Sequence, residues 1–182
     1  MAAVTPKFLF GFKLVKGDPN LQEFSEGSTQ AFNAGDPVKM SSGKLVQMTT
    51  PSDTSTTTVV SSGFWGIAAK DASGTAGTQI PVYVLRPEQV WEVHAKRGTK
   101  PSTKATYDEG KNVKVSYYAN TGYTVSDGTS TSTTTIGAWY AASTAASAGK
   151  GIVIVNYKEG EAGVQGGRMH VRFTSDACDA QY

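Results

Sequence analysis

One stretch of this chain is written twice. Gly63, Trp65, Ala68, Ala72, Ser73, Gly77, Ile80 and Tyr83 recur without a gap as Gly137, Trp139, Ala142, Ala146, Ser147, Gly151, Ile154 and Tyr157. Upstream, Val38, Lys39 and Met40 find counterparts in Val113, Lys114 and Val115, and each copy carries a Ser/Thr-rich tract before its Trp. Gly, Ala and Ser are so common here that their matches are cheap. Trp and Tyr are rare, so their recurrence carries the duplication. Each copy reads as a hairpin, a small-residue strand with one Trp, a Gly-containing turn, and a β-branched strand ending in Tyr. One such unit cannot bury both faces of its sheet. Two are expected to pack on or interlock with each other into a small antiparallel β-barrel or sandwich, with closure removing exposed edges.

Composition agrees with an all-β chain. Hydrophobic residues make up 38% and charged ones 18% of 182 residues, with Gly, Ser, Thr and Ala crowded between short runs of Val, Ile, Tyr and Phe. A chain of this length buries roughly two-thirds of its unfolded surface without covalent staples. The 17 basic and 15 acidic residues are spread along the whole length, so no polycationic arm offers itself to nucleic acid. Cys178 stands alone and requires no oxidising compartment. No apolar run approaches the ~18 residues of a membrane span, and the start of the chain lacks the layout of a signal peptide.

Phe8, Phe10, Phe12 and Leu14 alternate with Leu9, Gly11, Lys13 and Val15 as a strand with one aromatic face, ended by a turn at Gly17, Asp18, Pro19 and Asn20. The polar text that follows places residues 1–34 as an N-terminal arm. A duplicated domain is expected over 35–158, with copies at about 35–95 and 104–158. Strands are expected over Val38 to Met40, Lys44 to Met48, Phe64 to Lys70, Gln79 to Arg86 and Gln89 to Ala95, while residues 49–62 and 124–135 fit either loops or edge strands. The Gly-rich stretch from Glu159 to Gly167 reads as a linker within a C-terminal segment, 159–182. It leads to a strand in which Met169, Val171 and Phe173 alternate with Arg168, His170 and Arg172. That strand either folds back on its own domain or adds to the edge of a neighbour.

Catalytic chemistry has little to work with. A general base is the scarcest part, with only His94 and His170 present. Alternation sets Glu92 and His94 on one strand face, read as a polar outer face opposite Trp91 and Val93. No Cys or His pair has metal-ligand spacing, and the tail from Asp176 to Asp179 offers one soft ligand and reads as solvent-exposed. Gly43 with Lys44 and Gly149 with Lys150 lack the flanking residues of a phosphate-binding loop. The basic run from His94 to Lys100 reads as a solvated connection. Trp65 and Trp139, flanked by small residues, read as core rings, which leaves Trp91 as the ring free to stack on a sugar. The chain is therefore read as a non-enzyme with no cofactor and no metal.

Gly35 to Val38, the run from Gly63 to Gly74, Val82 to Val84, Lys104 to Gly110 and Ile136 to Trp139 together resemble tailed-bacteriophage capsid cement, or head decoration, proteins, over about residues 31–157. The resemblance implies a β-barrel seated outside the major capsid protein lattice as a homo-oligomer, trimer before dimer. Such a protein stabilises the shell without catalysis; it is made in the host cytoplasm and ends on the outer capsid surface of the virion. This chain departs from the pattern in its long arm and its tethered C-terminal strand. Phe8, Phe10 and Phe12, with Arg168 and Arg172, are the candidate contacts to subunits or shell; packing of the phenylalanines inside their own domain stands as the alternative. A phage tail or fibre module, or a carbohydrate-binding β-module, is the rival reading.

Overall fold

The computed structural model describes residues 11–48, 58–60, 62–95, 109–126, 131–163 and 167–179. Twelve strands lie among them: β1 (Lys13–Lys16), β2 (Leu21–Ser25), β3 (Pro37–Ser41), β4 (Lys44–Gln47), β5 (Thr58–Val60), β6 (Gly66–Ala68), β7 (Gln79–Val84), β8 (Val90–His94), β9 (Asn112–Ser126), β10 (Thr131–Ala145), β11 (Ile152–Tyr157) and β12 (Arg168–Phe173). They form two antiparallel sheets. The first runs β1-β8-β12-β11-β9-β10 with β5 on β9, and the second runs β2-β7-β6-β3-β4.

Alternation explains the core. On β12, Met169, Val171 and Phe173 are buried and face β8 and β11 partners that are also buried: Val93 and Trp91 on one side, Ile154 and Ile152 on the other. These side chains meet Phe64, Ile67 and Leu85 from the second sheet side, together with Val113, Val115 and Trp139. Phe173 packs against both Phe12 and Phe64, with ring centroids 5.0 and 5.1 Å apart. Tilted and edge-on rings at this spacing add about 1 kcal/mol each beyond their burial.

The second sheet carries buried side chains on both of its faces. Ile67 and Tyr83 point toward the first sheet, whereas Val38, Leu45, Ala68, Ile80 and Val82 form a separate cluster under Phe32. The cover over that cluster is pinned by backbone bonds, including Ala72 N–H to Phe32 O and Gly35 N–H to Ala68 O, both short. The buried Glu26 carboxylate clamps the same region. It accepts the Ser73 N–H at 2.9 Å, the Ser73 hydroxyl at 2.7 Å and the Gly74 N–H at 2.8 Å.

The fold is an all-β sandwich, as expected, but the barrel does not close. Among the described residues one parallel bridge, Ala95 to Ala141, brings β10 back toward β8, and β8 itself is hydrogen-bonded on both sides, to β1 and β12, so it has no edge left for β10. The segment read as the first copy supplies β3, β4, β6 and β7 to the second sheet and β5 and β8 to the first, while the segment read as the second supplies β9, β10 and β11 to the first. Some matched positions share a feature and others do not: Ile80 and Ile154 are buried, Ala68 and Ala142 are buried, and Gly77 and Gly151 both have positive φ, but Trp65 is half-buried where Trp139 is buried, and Gly77 is exposed where Gly151 is buried. The pairing differs, however. β7 lies beside the Trp65-bearing segment through β6, while β11 lies beside β9 and not beside the Trp139 strand.

From Phe12 onward the expected arm is instead built into the sandwich. β1 borders β8 at the edge of the first sheet and β2 borders β7 at the edge of the second, with the turn at Gly17 to Asn20 between them. Both strands are short and largely exposed, so their alternation is weak. The C-terminal strand folds back on its own domain and fills the gap between β8 and β11. The tail beyond it is not solvated as expected. A 3₁₀ turn, Ser175–Ala177, leads to a bridge from Cys178 to Phe64, with Ala177 fully buried. Residues 124–126 and 131–135, open between loop and strand in the sequence, are strand; of 49–62, residues 58–60 are strand.

Candidate interaction surface

Five strands of the first sheet turn a polar face outward, and cross-strand register fixes who meets whom. One row reads Lys13, Glu92, His170 and Asn156 across β1, β8, β12 and β11. A second sets His94 opposite Arg168, with Lys158 beyond, whose N–H bonds to Arg168 O. A third runs from Arg172 through Val153 to Asn112. Lys114 shares this face because Val113 and Val115 on either side of it are buried.

The acids on this face are matched to cations. Glu92 lies 3.0 Å from the Lys158 ammonium and 3.5 Å from the Arg168 guanidinium. Arg168 also grips Glu161 through its side chain, and its backbone N–H donates to the same carboxylate at 2.7 Å. That hydrogen-bonded contact holds the Glu161 carboxyl below its ordinary range. Lys13, Lys114 and Arg172 have no ion pair among the described residues, so the face carries a surplus of positive charge.

The sequence-predicted residues separate accordingly. Arg172 is exposed on this face, and Arg168 is half-buried in the ion-pair network. Phe12 is a core ring at 4% exposure, packed inside its own domain. Phe8 and Phe10 lie outside the described residues, as do Lys96 to Lys100. Glu92 and His94 share the outer face as expected, and His170 joins them by a register that the sequence does not display. Trp91, expected to be available to a sugar, is fully buried, with Tyr83 edge-on to it at 6.0 Å. Alternation with the outward Glu92 and His94 required that burial. Trp65 is the half-buried indole instead, edge-on to Phe24 at 5.8 Å.

A cavity of about 300 Å³ opens between β1 and the second sheet, lined by Phe12, Lys13, Leu14, Gly35, Ala68 and Tyr83 among others. Its character is apolar with one cation at hand, a setting for packing more than for proton transfer. Cys178 has its thiol pushed up to about 12 by burial, with Asp179 adding to the effect, so it stays protonated at neutral pH. Among the described residues no three His, Cys, Asp or Glu side chains gather to hold a metal ion, and no helix is long and apolar enough to cross a membrane. No protein-family model, no curated protein and no solved structure matches this chain.

Proposed function

We propose that this protein is a structural component of a virion, a cement protein that binds the outer surface of the capsid shell and stabilises it without catalysis. Its partners are the major capsid protein and further copies of itself. The observation that carries this reading is the outward face of the first sheet. It is broad and built on rigid strands, its acids are matched internally, and Lys13, Lys114 and Arg172 are left to meet an acidic surface. The sequence resemblance to head decoration proteins gives that surface its identity as a capsid shell. Many weak contacts of this kind, repeated over a symmetric lattice, add by avidity.

The test is to mix the purified protein with undecorated phage heads. Co-sedimentation and a raised resistance of the heads to heat or shear are expected, with attachment weakening as salt screens the basic face. Lys114→Glu combined with Arg172→Glu is expected to abolish most of the attachment while the sandwich stays folded. Failure to sediment with any shell sinks the reading.

A further inference from the structure

We propose that the outer half of β10, residues 131–138, whose edge away from β9 has no strand beside it among the described residues, pairs with the same segment of a second copy of this chain, joining two first sheets into one continuous antiparallel sheet across a two-fold axis.

The geometry begins with unequal strand lengths. β9 and β10 are fifteen residues each, and they pair along most of that length, from Thr131 opposite Ser126 down to Ala145 opposite Val113. Only the base of this ribbon is held by the sandwich. On its other edge β9 pairs with β11 at residues 112–113 and with β5 at 115–117, and Ala95 bridges β10 at Ala141. Beyond those points, residues 118–126 and 131–138 have only each other among the described residues. At about 3.3 Å per residue the ribbon runs on for some 30 Å. A two-stranded ribbon by itself is marginal in water.

Three edge strands of the sandwich carry charges of the kind that discourages pairing: Lys13 and Lys16 on β1, Glu23 on β2, Lys44 on β4; the three-residue β5 does not. β10 has none. From Thr131 to Ala145 there is no charged residue and no proline, and between Ser116 and Gly149 the single charge is Asp127. An edge so bare is a template for another strand.

Self-pairing fits it because a two-fold contact lays the strand against its own reverse. Any charge near the axis would meet its like, and β10 brings no charge at any register. An axis within Thr131 to Thr135 sets Thr or Ser opposite Thr or Ser, a favourable cross-strand pairing. Such a contact makes dimers, whereas the family resemblance favours trimers.

The test is light scattering behind size exclusion, on the full chain, from low micromolar to about 100 µM. Wild type is expected to self-associate. The double variant Thr133→Lys, Thr134→Lys puts one charge on each face of the strand and is expected to weaken association at least about tenfold, with the far-UV spectrum and melting temperature of the sandwich kept. A monomeric wild type at the top concentration, or a variant that associates as wild type does, overturns the proposal. A second measurement covers a variant that fails to fold. Spin labels on Ser132→Cys in a Cys178→Ala background are expected within about 20 Å of each other between copies, given a spacing of about 4.8 Å between paired strands, and a separation beyond about 40 Å overturns the pairing. Self-association is read with no shell present, so this inference and the capsid reading fail separately.

Discussion

The carboxylate of Asp36 accepts the backbone N–H of Asn33 at 2.8 Å, and this hydrogen bond does not compensate its burial. Burial, aided by the nearby Asp71, raises its pKa to about 6. The folded state therefore holds this proton to a higher pH than the unfolded chain does. The contribution is fully present below about pH 4 and is lost as pH rises through about 6, a fall of up to about 3 kcal/mol. Asp36→Asn keeps an acceptor for the Asn33 N–H and is expected to flatten that limb. Urea midpoints between pH 4 and 7 check it; an unchanged slope in the variant excludes Asp36 as its source.

Glu26 is expected to be among the least replaceable polar residues. Truncation to Ala removes the buried acceptor of three part-buried hydrogen bonds from Ser73 and Gly74, at an expected loss of about 1 to 3 kcal/mol. Ser73→Ala removes one hydroxyl and is expected to lose about 1 kcal/mol. Denaturant midpoints of the two variants give the ranking.

The matched glycines separate backbone strain from crowding. Gly77 and Gly151 both sit at positive φ, but a Cβ at Gly77 meets nothing within 4 Å, while one at Gly151 falls 2.2 Å from Val113 O. Gly77→Ala is expected to cost about 1 kcal/mol and Gly151→Ala at least about 2 kcal/mol more, since backbone must shift. Equal melting temperatures for the two variants would falsify the close approach of residue 151 to β9.

Glu92→Gln breaks the Lys158 and Arg168 pairs on a half-exposed face. Stability is expected to change by no more than about 1 kcal/mol, because screened surface pairs contribute little. Shell attachment is expected to strengthen, since Lys158 loses its partner, while Arg168 keeps Glu161. Parallel melting and co-sedimentation separate the two effects.

Cys178 is expected to resist a disulfide reagent at pH 8 in the native protein and to react at once in denaturant. Its raised thiol pKa and its packing against the core both predict this. Rapid native labelling, counted by absorbance, would show that the tail leaves Phe64.

Strands with strong alternation were legible from residues alone. β7, β8 and β12 put Ile80, Trp91 and Val171 inward on a two-residue period, and the turn at Ser42 and Gly43 declared the β3-β4 hairpin. What escaped had physical reasons. β1 and β2 lie at sheet edges, where half-exposed residues need no clean period. The Thr/Ser text of β9 and β10 has no apolar rhythm, so its length follows from pairing rather than pattern. Barrel closure depended on whether β8 had an edge to spare, and that depended on β12, remote in sequence. The partners of Glu92 come from β12 and the end of β11, and sequence spacing says nothing about such contacts. Glu26 looked like one more polar residue in an arm because its three donors sit almost fifty positions away.

The placement of β12 sets an order of events during synthesis. Among the described strands β12 lies between β8 and β11, so in a nascent chain that has emerged only as far as Tyr157 the Ala95–Ala141 bridge joins the two parts of the first sheet, and Trp91 and Ile154 lack the strand that lies between them. The first sheet is completed only after Arg168 to Phe173 has left the ribosome, so until then the apolar sides of β8 and β11 stay uncovered and open to misassociation.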